Sequence, residues 1–201
     1  MCVVSVVDYG VGNLFSMTNA LRRTGLEAEV VKDPAKIEAA DAIILPGVGN
    51  FGAAAAKLDA FKEAIKRGYE DGAPILGSCL GMQLLFEGSD ESPGEGLGLL
   101  GGRVRRFGGG LKVPHMGWNT IRALRDDPLL EGIPDCAYFY FVHSFYPCPE
   151  EAGATLAVTD YGGEFTSIVG QGRVYGTQFH PEKSGKAGAT LLSNFAKTIR
   201  R

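Results

Sequence analysis

Three times in its first half the chain repeats one pattern: a short, continuous apolar run, a glycine-bearing turn, then a stretch of helical character. Cys2 to Val7 runs into Asp8-Tyr9-Gly10-Val11-Gly12-Asn13 and a helix over about Leu14 to Arg23. Ala42 to Leu45 runs into Pro46-Gly47-Val48-Gly49-Asn50-Phe51-Gly52 and an alanine-rich helix over about Ala53 to Tyr69. Ile75 and Leu76 run into Gly77-Ser78-Cys79-Leu80-Gly81, with helical character continuing from Met82 to Phe86. A run that is apolar at nearly every position suits a strand covered on both faces, which occurs where helices pack on either side of a parallel sheet. Glu27 to Val31 adds one further strand to this half.

The second half reads differently. Gly88 to Gly102 is loop-like, and strands are expected over Arg103 to Phe107, Lys112 to Ile121, the run AYFYFVHSFYP from Ala137, Thr155 to Tyr161, Glu164 to Val169 and Arg173 to Phe179. A closing helix over about Gly188 to Ile199 carries Leu191, Leu192, Phe195 and Ile199 on one face. Strand-helix units followed by hairpin-like strands predict a three-layer α/β fold whose central sheet is mostly parallel with antiparallel additions. With 201 residues, of which 45% are hydrophobic, the chain can fill one substantial core, and a single domain over 1–201 is expected.

Charge and cysteine usage narrow the function classes. A net charge of −3 with scattered lysines and arginines offers no basic stripe for nucleic acid. The apolar runs are strand-sized and the N-terminus lacks a basic signal region, so neither a membrane nor an export route is expected and the location is expected to be cytoplasmic. Cys2, Cys79, Cys136 and Cys148 form no CxxC pair and no zinc-like spacing with His115, His143 and His180; disulfides and metal are not expected, nor is a cofactor. Gly10 and Gly12 lack the third glycine of a dinucleotide fingerprint, because Ser16 stands there, so that loop reads as a strand-to-helix turn.

The chemistry centres on Cys79. Small residues two positions either side of a nucleophile permit the sharp turn that exposes a side chain at a strand tip, and a thiol at a helix N-terminus meets partial positive charge that favours thiolate. Free cysteine is also commonly a buried small hydrophobe, so partners must decide between the two readings. They come from His180-Pro181-Glu182, where a carboxylate two residues on can hold Nδ1 and leave Nε2 free to take a proton. The loop Gly47-Val48-Gly49 is placed to present backbone N–H groups at the same sheet edge.

Taken together, GSCLGMQ, PGVG and HPE resemble the class I glutamine amidotransferase family, with similarity over nearly the whole chain. DYGVGN, KVPHMGWN, FVHSF and HPEKS resemble in particular a branch of that family whose members act as the glutaminase half of a heterodimer. The resemblance implies a flavodoxin-like sheet and glutamine as substrate. It casts Cys79 as nucleophile, His180 as proton shuttle and Glu182 as its orienter, with the oxyanion held by the N–H groups of Leu80 and Val48. It further implies glutamine binding by Gly47, Gln83, Glu91 (for the α-ammonium) and the backbone of Ser144 and Phe145. For that branch it implies a (β/α)8-barrel cyclase as partner, contacted around Trp118, Asn119, Tyr140 and Lys183 where ammonia would pass. An N–H in the Gly47 to Gly49 loop that turns inward on assembly would make the isolated chain slow.

Rival readings stay open at this point. Gln83 can be a solvated helix residue, Glu91 one more loop carboxylate, FVHSF a core strand and Trp118 a core residue; His143 competes with His180 as base but lacks a carboxylate near it in sequence. Another α/β cysteine hydrolase, an N-terminal nucleophile at Cys2, and a non-enzymatic scaffold of the same fold are the alternatives.

Overall fold

A computed structural model describes residues 3–199. In chain order the elements are β1 (Val3–Val7), α1 (Leu14–Arg22), β2 (Glu27–Val31), α2 (Pro34–Glu38), β3 (Ala42–Gly47), α3 (Phe51–Leu58), α4 (Lys62–Glu70), β4 (Ile75–Cys79) and α5 (Leu80–Gln83). There follow β5 (Gly88–Ser89), β6 (Gly102–Arg106), β7 (His115–Thr120), β8 (Arg122–Ala123), β9 (Tyr138–His143), β10 (Phe145–Pro149), β11 (Thr155–Asp160), β12 (Glu164–Gln171), β13 (Val174–Thr177) and α6 (Gly185–Thr198). Cys2, and with it the N-terminal nucleophile reading, lies outside the described residues.

Eight strands form the central sheet in the order β2-β1-β3-β4-β13-β12-β11-β8. The pairs from β2 to β13 are parallel, and β13-β12, β12-β11 and β11-β8 are antiparallel. Period-two alternation splits each parallel strand between two cores. Val4, Val6, Ile44 and Leu76 pack on the side covered by Met17 and Leu21 of α1 and Leu191, Leu192 and Phe195 of α6. Val7, Ile43, Leu45 and Ile75 pack on the other, against Phe51 and Leu58 of α3 and Ile65 of α4. Burying each such side chain contributes about 1.5–3 kcal/mol, so layers this well filled hold the strand tips in place.

Local chemistry sets the turns. Asn13 caps α1 by accepting from Ser16 N–H at 3.2 Å, so the DYGVGN loop does what a strand-to-helix turn requires. The alanine-rich helix expected over Ala53 to Tyr69 is two helices, α3 and α4, separated by a 3₁₀ turn over Asp59–Phe61 across which Asp59 pairs with Lys62 at 2.6 Å. The aromatic run from Ala137 also divides. β9 pairs with β7 in a two-stranded ribbon, while β10 pairs with β6 in a separate small sheet.

Candidate active site

Strand order decides which motifs meet. β4 lies between β3 and β13 with all three parallel, so their C-terminal tips share one edge. Register places Gly47 beside Cys79 and Thr177 beside Ser78, which brings PGVG, the thiol and the residues before His180 into one row.

Cys79 itself has φ 54° and ψ −112°, a backbone conformation that costs a non-glycine residue about 1–3 kcal/mol and persists only where surroundings enforce it. A Cβ on Gly81 would run into the Leu45 carbonyl, and one on Gly77 would meet the Gly81 carbonyl, so both glycines are demanded by backbone packed on backbone. The helix expected to continue to Phe86 stops at Gln83. The carbonyls of Leu84 and Leu85 accept from Leu97 N–H at 2.7 Å and Leu99 N–H at 2.9 Å, so a returning loop takes the bonds that further helix would have used. Four residues make little macrodipole; what α5 offers is the N–H of Leu80, which as the first helical residue has no partner within the helix.

Beyond β13, His180 Nδ1 donates to Glu182 Oε1 at 2.9 Å, with both side chains only 3% exposed. That bond leaves Nε2 as the basic nitrogen, and Nε2 is buried without a hydrogen-bond partner. Burial, the largest single influence, pushes the His180 pKa down, but Cys79 and Glu182 together outweigh it and raise it to about 9. The Glu182 share rests on a bond that is present. The Cys79 share belongs to the ionised pair, since the thiol here donates to Val142 O at 3.8 Å instead.

A cavity of about 240 Å³ opens in front of Cys79, lined by Val48, Gly49, Leu80, Gln83, Glu91, Pro114, Val142, His143, Ser144 and Phe145. That is below the ~300–1,000 Å³ usual for drug-sized ligands and suits a single amino acid. Val48, Leu80, Gln83, Glu91, Ser144 and Phe145, singled out from sequence, thus meet around the thiol, with Gly47 adjacent to it by register. Gln83 is not a solvated residue. It is buried, and its Nε2 donates to Phe145 O at 3.0 Å and to Gln178 Oε1 at 3.1 Å, which leaves the amide oxygen for a ligand. Glu91 Oε2 accepts from Phe51 N–H at 2.7 Å, so one oxygen anchors α3 and the other remains for a cation.

His143 has both ring nitrogens committed. Its Nδ1 donates to the Phe145 carbonyl at 2.8 Å, so Nε2 is an acceptor, taken up by His115 Nδ1–H at 3.0 Å. Burial pushes His143 down to about 3 and His115 to about 4, so both are neutral members of a fixed pair.

The outer face of the β7-β9 ribbon is apolar and open: Met116 is 63%, Trp118 56% and Tyr138 62% exposed. Trp118 stands edge-on to Tyr140, and Lys183 Nζ lies 5.7 Å from the Tyr140 ring centre. Asn119 departs from expectation. Adjacent strand residues face opposite ways, so with Trp118 outward Asn119 turns inward; its amide bonds His115 Nε2 at 3.3 Å, Asp160 O at 2.9 Å and Thr120 N–H at 2.8 Å. It braces the ribbon on the side away from Trp118. Two contributors had no sequence signal of their own: Gln178, whose Nε2 lies 3.8 Å from Cys79 Sγ, and Tyr9, whose buried hydroxyl donates to Pro46 O at 2.6 Å at the root of the PGVG loop.

The family model described as glutamine amidotransferase class-I matches residues 5–199. A Methanothermobacter thermautotrophicus protein named imidazole glycerol phosphate synthase subunit HisH is 51% identical over 199 residues, covering 98% of this chain and 100% of that one. A Desulfitobacterium hafniense protein of the same name is 48% identical over 200 residues, covering 98% and 95%. Among solved structures, one titled as a glutamine amidotransferase superposes with a TM-score of 0.77 at 23% identity over 98% of each chain. A chain from PurLQS of Thermotoga maritima does so at 0.78 and 20% over 99% of each, which speaks for the fold. A family match over almost the whole chain thus joins a strained thiol at a parallel-sheet edge and a carboxylate-held imidazole beside it, and the chain belongs to the class I glutamine amidotransferase family.

Proposed function

We propose that the chain is the glutaminase subunit of imidazole glycerol phosphate synthase, hydrolysing glutamine to glutamate and ammonia and passing the ammonia to a (β/α)8-barrel cyclase for histidine biosynthesis. The observation that carries this is the β4-β13 adjacency, which sets a strained Cys79 next to the His180-Glu182 pair above an amino-acid-sized cavity. The near full-length similarity to proteins named as that synthase's subunit supports it. The chain works as one domain over 1–201, in the cytoplasm; among the described residues no helix is long and apolar enough to cross a membrane.

Glutamine enters with its side-chain amide at Sγ, its α-ammonium toward the free oxygen of Glu91 and its amino-acid end along Gly47, Gln83 and the Ser144-Phe145 backbone. His180 Nε2 takes the thiol proton. The sulfur attacks the amide carbon, and the resulting oxyanion is held by the N–H groups of Leu80 and Val48, each worth about 3 kcal/mol. His180 then gives its proton to the leaving nitrogen, so ammonia departs and a thioester remains. Water, deprotonated by the same Nε2, attacks the thioester; glutamate leaves and the thiol is restored. Splitting amide hydrolysis this way replaces one difficult step with two easier ones, and Glu182 stabilises the imidazolium in both.

Trp118, Tyr140 and Lys183 form the face on which the cyclase docks, and closure there keeps ammonia from being protonated in bulk water. The Val48 N–H becomes a full oxyanion donor on assembly, with Tyr9 holding the loop's first carbonyl in place. Ammonia release is therefore low for the chain alone and rises when cyclase and its ligand are added. Measured with glutamine, Cys79→Ala should abolish release in both states. Equal turnover with and without the cyclase would overturn activation by assembly, and ammonia from the alanine variant would overturn the nucleophile.

A further inference from the structure

The bond between Gln83 and the Phe145 carbonyl has consequences two links away. A carbonyl oxygen can only accept, so the Gln83 atom 3.0 Å from it is Nε2. The second proton on that nitrogen points at Gln178, 3.1 Å off, so Gln178 must present its Oε1 there. Its Nε2 is then left facing Cys79 Sγ at 3.8 Å. The Gln178 side chain is fully buried, which leaves it no solvent in which to turn over. His143 Nδ1 donates to the same Phe145 carbonyl at 2.8 Å and fixes it from the other side.

We propose that Gln178 is a positioning residue for the nucleophile, supplying an N–H donor to the Cys79 sulfur in an orientation dictated by Gln83 and the Phe145 carbonyl. This rests on Cys79 being the nucleophile. As a thiol, Sγ has two neighbours: it donates to Val142 O and accepts from Gln178. As a thiolate it has no proton for Val142, whose carbonyl oxygen then repels it, while the Gln178 N–H attracts it more strongly than before. Ionisation therefore releases the sulfur from the Val142 side and leaves it held from the Gln178 side, turned toward His180 and the cavity. Gln83 and Phe145 both line the cavity, so the groups that meet glutamine are the groups that orient the donor on the sulfur.

The test is the pH dependence of Cys79 alkylation by iodoacetamide in the full chain, followed peptide by peptide so that Cys136 and Cys148 serve as internal references. Gln178→Glu keeps the shape but puts a carboxylate oxygen against the sulfur, and Gln178→Met removes the donor with little change in size. Both should move the midpoint upward, by about one pH unit for Gln178→Glu and by less for Gln178→Met. Gln83→Met, which frees Gln178 to rotate, should give a smaller shift in the same direction. Referred to the folded fraction measured by circular dichroism, ammonia release by the Gln178 variants should fall in kcat more than it rises in KM, whereas loss of fold alone would leave kcat per folded chain unchanged. Should Gln178→Glu fail to fold, Gln178→Met and Gln83→Met carry the test. An unmoved midpoint in folded Gln178→Met, with Cys79→Ala still inactive, overturns the positioning role alone. If Cys79→Ala retains glutaminase activity, the nucleophile reading falls and this proposal falls with it.

Discussion

At the scale of single residues, the two nitrogens of the His180 imidazole stand in different surroundings. Nδ1 is committed to Glu182 and Nε2 is buried with no partner. Burial pushes His180 down, but Cys79 and Glu182 together outweigh it and raise it to about 9. Its contribution to folding is complete below the unfolded value near 6.5 and fades as pH rises through about 9. Glu182→Gln keeps a hydrogen bond but removes the charge, so His180 should lose its proton at lower pH and the alkaline limb of kcat/KM for ammonia release should begin at lower pH in that variant. A pH profile with the limb unmoved would show that Glu182 does not set it. Cys79 carries its own signature in φ, and the two glycines that flank it are there because carbonyls occupy the space a Cβ would need.

At the scale of elements, the β7-β9 ribbon is two-faced. Its inner face holds the His115-His143 pair among Phe107, Phe141 and Phe165, and its outer face shows Met116, Trp118 and Tyr138. Both histidines are held neutral by burial, at about 4 and about 3, while unfolded histidine titrates near 6.5. Between those values the unfolded chain binds two protons that the folded chain refuses, so stability falls as pH drops below about 6.5. Urea unfolding measured from pH 7 to 5 should show that slope, and His115→Phe, which keeps a ring against Phe141 and Tyr161, should lose about half of it. An unchanged slope would place the acid sensitivity elsewhere. The ribbon also shows what could be read in advance. The parallel strands, the elbow and the HPE turn were legible because each is written in a few contiguous residues. The β4-β13 adjacency, the bond of Gln178 to sulfur and the bond of His115 to His143 join distant segments, and local pattern carries no record of them. Asn119 is a third kind of case: period-two alternation sets its side chain on the face opposite Trp118. The break between α3 and α4 and the early end of α5 were likewise settled by contacts from other segments.

At the scale of the whole molecule, the working edge is where three parallel strand tips, the ribbon and the loop of Val48 converge, and its rim is apolar. An exposed tryptophan at the centre of such a rim is the kind of anchor that dominates association. Trp118→Ala should weaken binding of the cyclase by at least about tenfold while leaving the chain's urea midpoint nearly unchanged, as checked by titration calorimetry beside unfolding. Equal affinity would move the docking face elsewhere. The pairing of β13 with β4 carries one more implication, about time. Gln178 stands 99 residues after the cysteine it touches, and β13 is the last strand of the sheet to be made. On the ribosome, Cys79 emerges long before His180, so through that interval the chain holds the thiol without the imidazole beside it. The capacity to release ammonia arrives only when the final strand slots between β4 and β12, which makes the chemistry a certificate that the sheet has closed.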